Sequence, residues 1–275
     1  MLTSPNERKL VEPEVAYDAY AARYDKLLEE NRINAYMREA MLRIQRETFS
    51  PGERLLELGA GTGDEALALA ALGCEIVASD PSAEMVRVAR EKANTHPAGQ
   101  RVTFLECHAR NLGEALREEP DGSFGGAYSS FALSYEPALG SVQGALARLL
   151  RPGSYFLLAA VNRVCLSELL IATVALRPSL AGRRLRTSSP HKVGRVRTRI
   201  FCRTPLELSR SFRPQFAQDR IWALPAILPP HYMNRPFERW PSLVDILERV
   251  DLLVRSKPLF RTLGDHTVIR LRRVG

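Results

Sequence analysis

The chain is poor in the features that mark several protein classes. Its four cysteines, Cys74, Cys107, Cys165 and Cys202, lie far apart with no C-x-x-C pair, which signals neither a zinc site nor a disulfide framework and predicts reduced, mostly core thiols. No uncharged run reaches the roughly 18 residues that a membrane span requires, and MLTSPNERKLVEPEVAYDAY contains no apolar core of a signal peptide. A cytoplasmic location is the expectation. There is no internal repeat and no low-complexity tract. Acid is missing from one stretch: between Leu169 and Leu206 there is no Asp or Glu, yet Arg177, Arg183, Arg184, Arg186, Lys192, Arg195, Arg197, Arg199 and Arg203 lie there. Taking those nine charges from the net +8 leaves −1 for the remainder, so the basicity belongs to one segment.

What is present is an ordinary soluble composition, 45% hydrophobic and 25% charged over 275 residues, enough to bury a full core. Apolar runs predict strands at Arg54 to Leu58, Glu75 to Ser79, Val102 to Glu106, Gly126 to Ser130 and Tyr155 to Val161. Helical spacing predicts helices at Asp64 to Leu72, at Ala83 to Ala93 behind a Ser82 cap, and at Ala138 to Leu150. Strands alternating with helices of this length predict a parallel sheet covered on both faces. Beyond the fifth strand come an apolar helix at Leu166 to Leu176, a strand-like piece at Val193 to Phe201, and a capping box opening a helix at Thr204-Pro205-Leu206-Glu207. Apolar Ile221 to Leu228, a helix around Pro241 to Val254 and a stretch at Thr267 to Arg272 finish the chain.

The stretch LLELGAGTGDEALALA, Leu55 to Ala70, passes from strand to helix through Gly59, Gly61 and Gly63. That turn faces the carboxyl edge of the sheet, where open α/β folds bind ligands. No Lys follows the glycines, which excludes a triphosphate loop. The dinucleotide fingerprint wants its last glycine where Asp64 stands; here the spacing is G-x-G-x-G behind Glu57, and an acid suits a pyrophosphate poorly. A second acid, Asp80 in EIVASDPSAEMV, ends the next strand about twenty residues on, where a carboxylate accepts both hydroxyls of a ribose. A ribose without a neighbouring phosphate points to an adenosyl ligand that carries a cation.

ELGAGTG, ASDPSAEMV and LARLLRPGSYFLLAA together resemble class I S-adenosylmethionine-dependent methyltransferases, and AYAARYDKLLEENRINAYMREAML resembles the N-terminal cap of their small-molecule and quinone-modifying branch. The resemblance covers Tyr17 to Val161; beyond it only a general plan of two late antiparallel strands carries over. It implies a Rossmann-like α/β fold: a mostly parallel seven-stranded sheet with helices on both faces, a helical N-terminal cap, and a lid inserted after strand 5. As a single domain, the chain divides into a cap (1–50), a cofactor-binding core (51–162), a basic lid or insert (163–218) and C-terminal strands and helix (219–275).

The same resemblance implies S-adenosyl-L-methionine as cofactor and a contact for each part of it. Gly59, Ala60 and Gly61, with the adjoining Thr62 and Gly63, would cradle the methionine part, with Glu57 supporting the loop. Asp80 would hold the ribose, while Pro81 and Met85 would pack against adenine. His108 and Ala109 would line the adenine edge, Ser129, Ser130 and Phe131 would stand near the methyl group, and Tyr24 would close over the cofactor. Two positions depart from the pattern: many relatives carry an acid where His108 stands, and another where Gly125 stands.

Methyl transfer from a sulfonium rests mainly on positioning. If a proton leaves, His191 in SSPHKVG, His231 in PPHYMN and Tyr135 beyond the fourth strand are the candidates to take it. The basic insert admits three readings: a solvated flap, a binder of an acidic small molecule, or a surface for nucleic acid or anionic membrane. The expected reaction is transfer of a methyl group to an O, N or C atom of a small organic acceptor, acidic or lipid- or quinone-like. The alternatives are an RNA methyltransferase using the insert, a protein that binds the cofactor without turning it over and, least favoured, a nicotinamide dehydrogenase.

Overall fold

A computed structural model of the chain describes residues 10–174, 176, 182, 184–194, 196–233 and 239–275. Three short elements lead in: α1 (Pro13–Asp18), α2 (Tyr24–Glu29) and α3 (Arg32–Thr48), the last capped by the Asn31 side chain, which accepts from the amides of Ile33 and Asn34. On α3, Ile33, Met37, Ala40, Met41 and Ile44 recur at helical spacing and are buried against the sheet.

The core then alternates as its sequence predicts: β1 (Arg54–Leu58), α4 (Asp64–Ala71), β2 (Glu75–Asp80), α5 (Ala83–Thr95), β3 (Val102–Glu106), the one-turn α6 (Leu112–Ala115), β4 (Phe124–Ser130), α7 (Gly140–Leu149) and β5 (Leu150–Val161). Strand alternation splits the core in two. Leu55, Tyr128, Leu157 and Ala159 enter the apolar cluster under α3, α4 and α5. Leu56, Leu58, Phe156 and Leu158 enter the one under α6 and α7.

After β5 come α8 (Leu166–Val174), a hairpin of β6 (Ser188–Val193) and β7 (Val196–Phe201), a helix at Pro205–Ser211 with the predicted capping box, β8 (Phe216–Leu224), a helix at Pro241–Val254 and β9 (His266–Arg273). The seven-stranded sheet has the order β3-β2-β1-β4-β5-β9-β8. Strands β1 to β5 are parallel, and β9 runs antiparallel to both its neighbours, β5 and β8. Val161 therefore stands opposite His266, so the beginning of β9 lies at the same edge of the sheet as the carboxyl ends of β1, β2 and β4.

Two expectations are corrected. The piece read as one strand, Val193 to Phe201, is the turn and second arm of a hairpin that starts at Ser188; Gly194 takes φ +54 where the chain reverses. The basic insert is not simply a solvated flap. Arg186, Lys192, Arg197 and Arg199 are exposed, but Arg184 is buried, and Arg203 donates to the carbonyls of Glu136 and Pro137 at 2.6 and 3.0 Å. Arg177, Arg183 and Arg195 lie outside the described residues.

Candidate active site

The carboxyl edge of the sheet opens into a cavity of about 680 Å³, floored by the glycine loop and walled by the cap and the hairpin. Cap and lid meet over it, where the Val11 amide donates to the Arg197 carbonyl at 2.9 Å. On the floor, Gly59, Gly61 and Gly63 all take positive φ, and a Cβ added to Gly59 would lie 2.0 Å from the Cβ of Ala132. Gly59→Ala is therefore expected to displace the loop and abolish binding of S-adenosylhomocysteine while the far edge of the sheet stays folded, a result readable by calorimetry beside circular dichroism. A full-affinity Gly59→Ala protein would show that the loop is not the binding surface.

Two carboxylates hold the floor. Asp80 is buried; its Oδ2 accepts the Gly61 amide at 2.8 Å and its Oδ1 the Ser82 amide at 2.9 Å. Burial pushes the Asp80 carboxyl up to about 6, against these two bonds, which favour the ionised form. Glu57, also buried, lines the cavity, and its Oε2 has no hydrogen-bond partner. Burial, then the neighbouring charge of Glu65, raise its carboxyl well above the usual range. A buried acid with an unsatisfied oxygen beside a bare backbone fits a cationic ligand, whose charge would hold it ionised, better than a phosphate.

The cap is fastened to this floor. Thr62 donates from its hydroxyl to Asp25 of α2, and Lys92 of α5 bridges Asp25 and Asp64. Ser82 caps α5 at the Met85 amide and donates to Asp18 of α1 at 2.6 Å. These ties set the Tyr24 ring 3.6 Å from the position a Cβ on Gly61 would take. They also bring in Glu14 of α1, 3.7 Å from Nε2 of His108 and with a buried, unpartnered Oε2. The cap thus places an acid beside His108, the position at which the sequence has none.

Ala60, Pro81, Met85, His108, Ala109, Ser130 and Phe131 line the cavity. Thr62 and Gly63 do not: the first ties the loop to the cap, and the second packs on Phe104, whose ring lies 2.8 Å from where a Cβ would stand. Ser129 does not line it either, because its hydroxyl turns back to the Leu58 carbonyl at 2.8 Å. Phe131 holds φ +69, a left-handed conformation that costs a bulky residue about 1–3 kcal/mol and clusters at functional sites. Its amide is fixed to the Ala159 carbonyl at 2.9 Å.

Tyr135, His191 and His231, far apart in sequence, come together on the upper wall. The rings of Tyr135 and His191 are 6.2 Å apart, and those of His191 and His231 6.4 Å. Tyr135 shares a 2.6 Å hydroxyl hydrogen bond with Tyr17, and burial holds its phenol well above the ordinary value, which keeps it protonated and unsuited to taking a proton. Sequence reasoning missed Glu14, Tyr17, Asp265 and His266, all in the lining. The signal for the last two was the antiparallel β9, which returns its first residues to the ligand edge.

Residues 55–153 match the family model of a methyltransferase domain. The chain is 34% identical over 143 residues to a demethylmenaquinone methyltransferase of Thermus thermophilus, covering 50% of this chain and 60% of that one. It is 32% identical over 113 residues to a ubiquinone biosynthesis O-methyltransferase of Xanthomonas campestris, covering 41% and 45%. It thus spans about half the length of these curated relatives. Among solved structures, a geranyl diphosphate C-methyltransferase of Streptomyces coelicolor in complex with S-adenosyl-L-homocysteine superposes with TM-score 0.56 at 15% identity, over 86% of this chain and 79% of that one. A 4+2 cyclase superposes with TM-score 0.61 at 17% identity, over 98% and 99%, so this fold alone does not specify methyl transfer. Residues 55–153 therefore match a methyltransferase domain, and over up to half of its length the chain is similar to demethylmenaquinone and ubiquinone methyltransferases.

Proposed function

We propose that the protein transfers the methyl group of S-adenosylmethionine to a small organic acceptor enclosed between the sheet edge and the lid. The observation that carries this reading is the pairing, in one cavity, of a bare glycine loop with the unpartnered carboxylate of Glu57 and the ribose-height carboxylate of Asp80. A cationic amino-acid ligand joined to a ribose satisfies both. Glu57 and the loop carbonyls would take the ammonium, Asp80 the ribose hydroxyls, Met85 and Pro81 the adenine face, and Glu14 the adenine amino group. When bound, the cofactor supplies an electrophilic methyl on a sulfonium.

At about 680 Å³ the cavity lies in the upper part of the range for small-molecule pockets, with space beyond a nucleoside-sized ligand for an acceptor. The acceptor side is aromatic, with Tyr17, Phe131, Tyr135 and Phe201 among its walls, which favours a planar ring such as a quinol or phenol. The quinone-biosynthesis names of the two curated relatives point the same way. An RNA substrate is less favoured: the reactive edge lies under cap and lid, and part of the insert's charge is spent on internal partners. Among the described residues no helix is long and apolar enough to cross a membrane.

The test is conversion of S-adenosylmethionine to S-adenosylhomocysteine with quinols, phenols and amines, with the methyl group located on the product. Turnover with at least one small acceptor is expected; cofactor binding without turnover of any acceptor would favour a non-catalytic binding protein.

Asp80 also sets a pH dependence. A native carboxyl near 6 against the usual 3.8 means that the free protein binds this proton more tightly when folded. Its contribution to stability is present below about pH 4 and is lost as pH rises past 6. Ribose hydroxyls need the ionised carboxylate as acceptor, so binding has the opposite slope. The affinity for S-adenosylhomocysteine is expected to fall about tenfold between pH 7.5 and pH 5, and Asp80→Asn to flatten that dependence in the same titrations.

A further inference from the structure

Deep in the lid side of the cavity, Arg184, Glu168 and Asp265 form a buried ion cluster. The Arg184 Nε lies 2.7 Å from Glu168, its guanidinium pairs with the Asp265 carboxylate, and it donates to the Asp265 carbonyl at 2.8 Å. The next residue, His266, is 8% exposed and lines the cavity, and its Nδ1 is 2.9 Å from the second oxygen of Asp265. Its ring meets the Phe131 ring edge-on, with centroids 4.9 Å apart. Neither Arg184 nor Asp265 is needed to bind a cofactor held at Glu57 and Asp80, and the sheet would close without a histidine at the first position of β9.

We propose that His266 is the general base of the reaction, taking the proton from a hydroxyl group of the acceptor, with Asp265 as its positioning partner. This rests on the methyl-transfer reading above and narrows the acceptor to one methylated on oxygen. The arrangement has the parts such a base needs. Asp265 is fully buried and its carboxyl is held well below the usual range, chiefly by Arg184 acting against the cost of burial, so a fixed negative charge faces Nδ1. That charge stabilises the imidazolium formed when Nε2 takes a proton. Nδ1 and the Asp265 Oδ2 stand 2.9 Å apart without hydrogen-bond alignment, so Asp265 acts on the ring by its charge, and Nε2 has no protein partner among the described residues. The wall it occupies adjoins Phe131 and belongs to β9, three strands along the sheet from β1 with Glu57 and four from β2 with Asp80, which leaves the space between for an acceptor.

The step balances without any further reagent. The acceptor O–H bond breaks and its proton passes to Nε2. The acceptor oxygen forms a bond to the methyl carbon as the carbon–sulfur bond breaks, with that electron pair remaining on sulfur. The products are the methyl ether, S-adenosylhomocysteine and an imidazolium that returns its proton to water.

The experiment compares the wild type with His266→Ala and His266→Gln, using catechol and the more acidic 4-nitrocatechol as acceptors and S-adenosylhomocysteine calorimetry as the control for folding and cofactor binding. Both variants are expected to bind S-adenosylhomocysteine as the wild type does and to lose about 10²- to 10⁴-fold in kcat/KM with catechol at pH 7. The loss should shrink with 4-nitrocatechol, which ionises without help. With S-adenosylmethionine saturating at every pH, so that Asp80 does not contribute, the acid limb of the wild-type kcat/KM profile for the acceptor should disappear in both variants. The other charged and titratable groups around His266 are Asp265 beside it, Arg184 of the lid, Glu168 of α8, and His231 and Tyr232 after β8; all remain in the variants. Equal losses with both acceptors, or an acid limb that persists, would make His266 a structural residue and overturn the proposal. A wild type that binds S-adenosylhomocysteine yet methylates only carbon or nitrogen, or neither catechol, would overturn it while leaving the cofactor reading intact. A wild type that does not bind S-adenosylhomocysteine would remove the methyl-transfer reading itself.

Discussion

Replacing Arg184 with alanine is expected to destabilise the fold by about 3–5 kcal/mol, a fall of roughly 6–20 °C in Tm for a chain of this size. Arg184 is 6% exposed, and its partners Glu168 and Asp265 are 2% and 0% exposed. Removing the guanidinium takes from the buried Asp265 and Glu168 carboxylates the cation that they share, and it strips the carbonyls of Asp265 and Asn162 of a donor. The large effect is the uncompensated charge rather than the loss of a favourable pair, so the double variant Arg184→Met with Asp265→Asn should recover part of the stability. Arg87, which pairs with Glu84 and Glu91 on the exposed face of α5, is the control: its alanine variant should melt with the wild type. Thermal unfolding followed by circular dichroism separates the two. An Arg184→Ala protein that melts with the wild type would show that the lid is not anchored at this point.

Asp80→Ala is expected to weaken S-adenosylhomocysteine binding by about two orders of magnitude at pH 7.5, since hydrogen bonds to a charged group contribute roughly 1.5–3 kcal/mol each and, on the proposed reading, two ribose hydroxyls would share this carboxylate. Part of the loss is indirect. In the free protein the same carboxylate accepts from the amides of Gly61 and Ser82, so it also sets the loop that carries the glycines and the start of α5. Asp80→Asn separates the two contributions, because an amide oxygen still accepts from one of those amides but without the charge. Its affinity should fall between those of the wild type and Asp80→Ala. An affinity within twofold of the wild type for Asp80→Ala would show that the ribose is held elsewhere.

The core was legible in the sequence because its strands are buried on both faces and read as short apolar runs, and because Ser82 and the Thr204 to Glu207 capping box mark helix starts by their own chemistry. The floor of the site was legible for the same reason: Gly59 and Asp80 sit at fixed places on one strand-turn-helix unit. The hairpin was not, because Val193 to Phe201 alternates like one strand and the reversal at Gly194 is a single residue in a basic run. Nor were the walls. Glu14 reaches His108 across 94 positions of sequence, and Asp265 meets Arg184 across 81; such pairings are set by the docking of α1 and by the direction of β9, which local pattern does not encode. The charge of the insert misled in a particular way: net charge counts Arg184 and Arg203 as surface cations, whereas both spend their donors inside the protein.

The most direct measurement is a calorimetric titration of the full chain at pH 7.5 with S-adenosylhomocysteine and, separately, with NAD. Saturable binding of S-adenosylhomocysteine at one site per chain, with no heat from NAD, is the predicted result. A folded protein that does not bind S-adenosylhomocysteine would contradict the account at its centre, and the glycine loop would then be a turn that only packs.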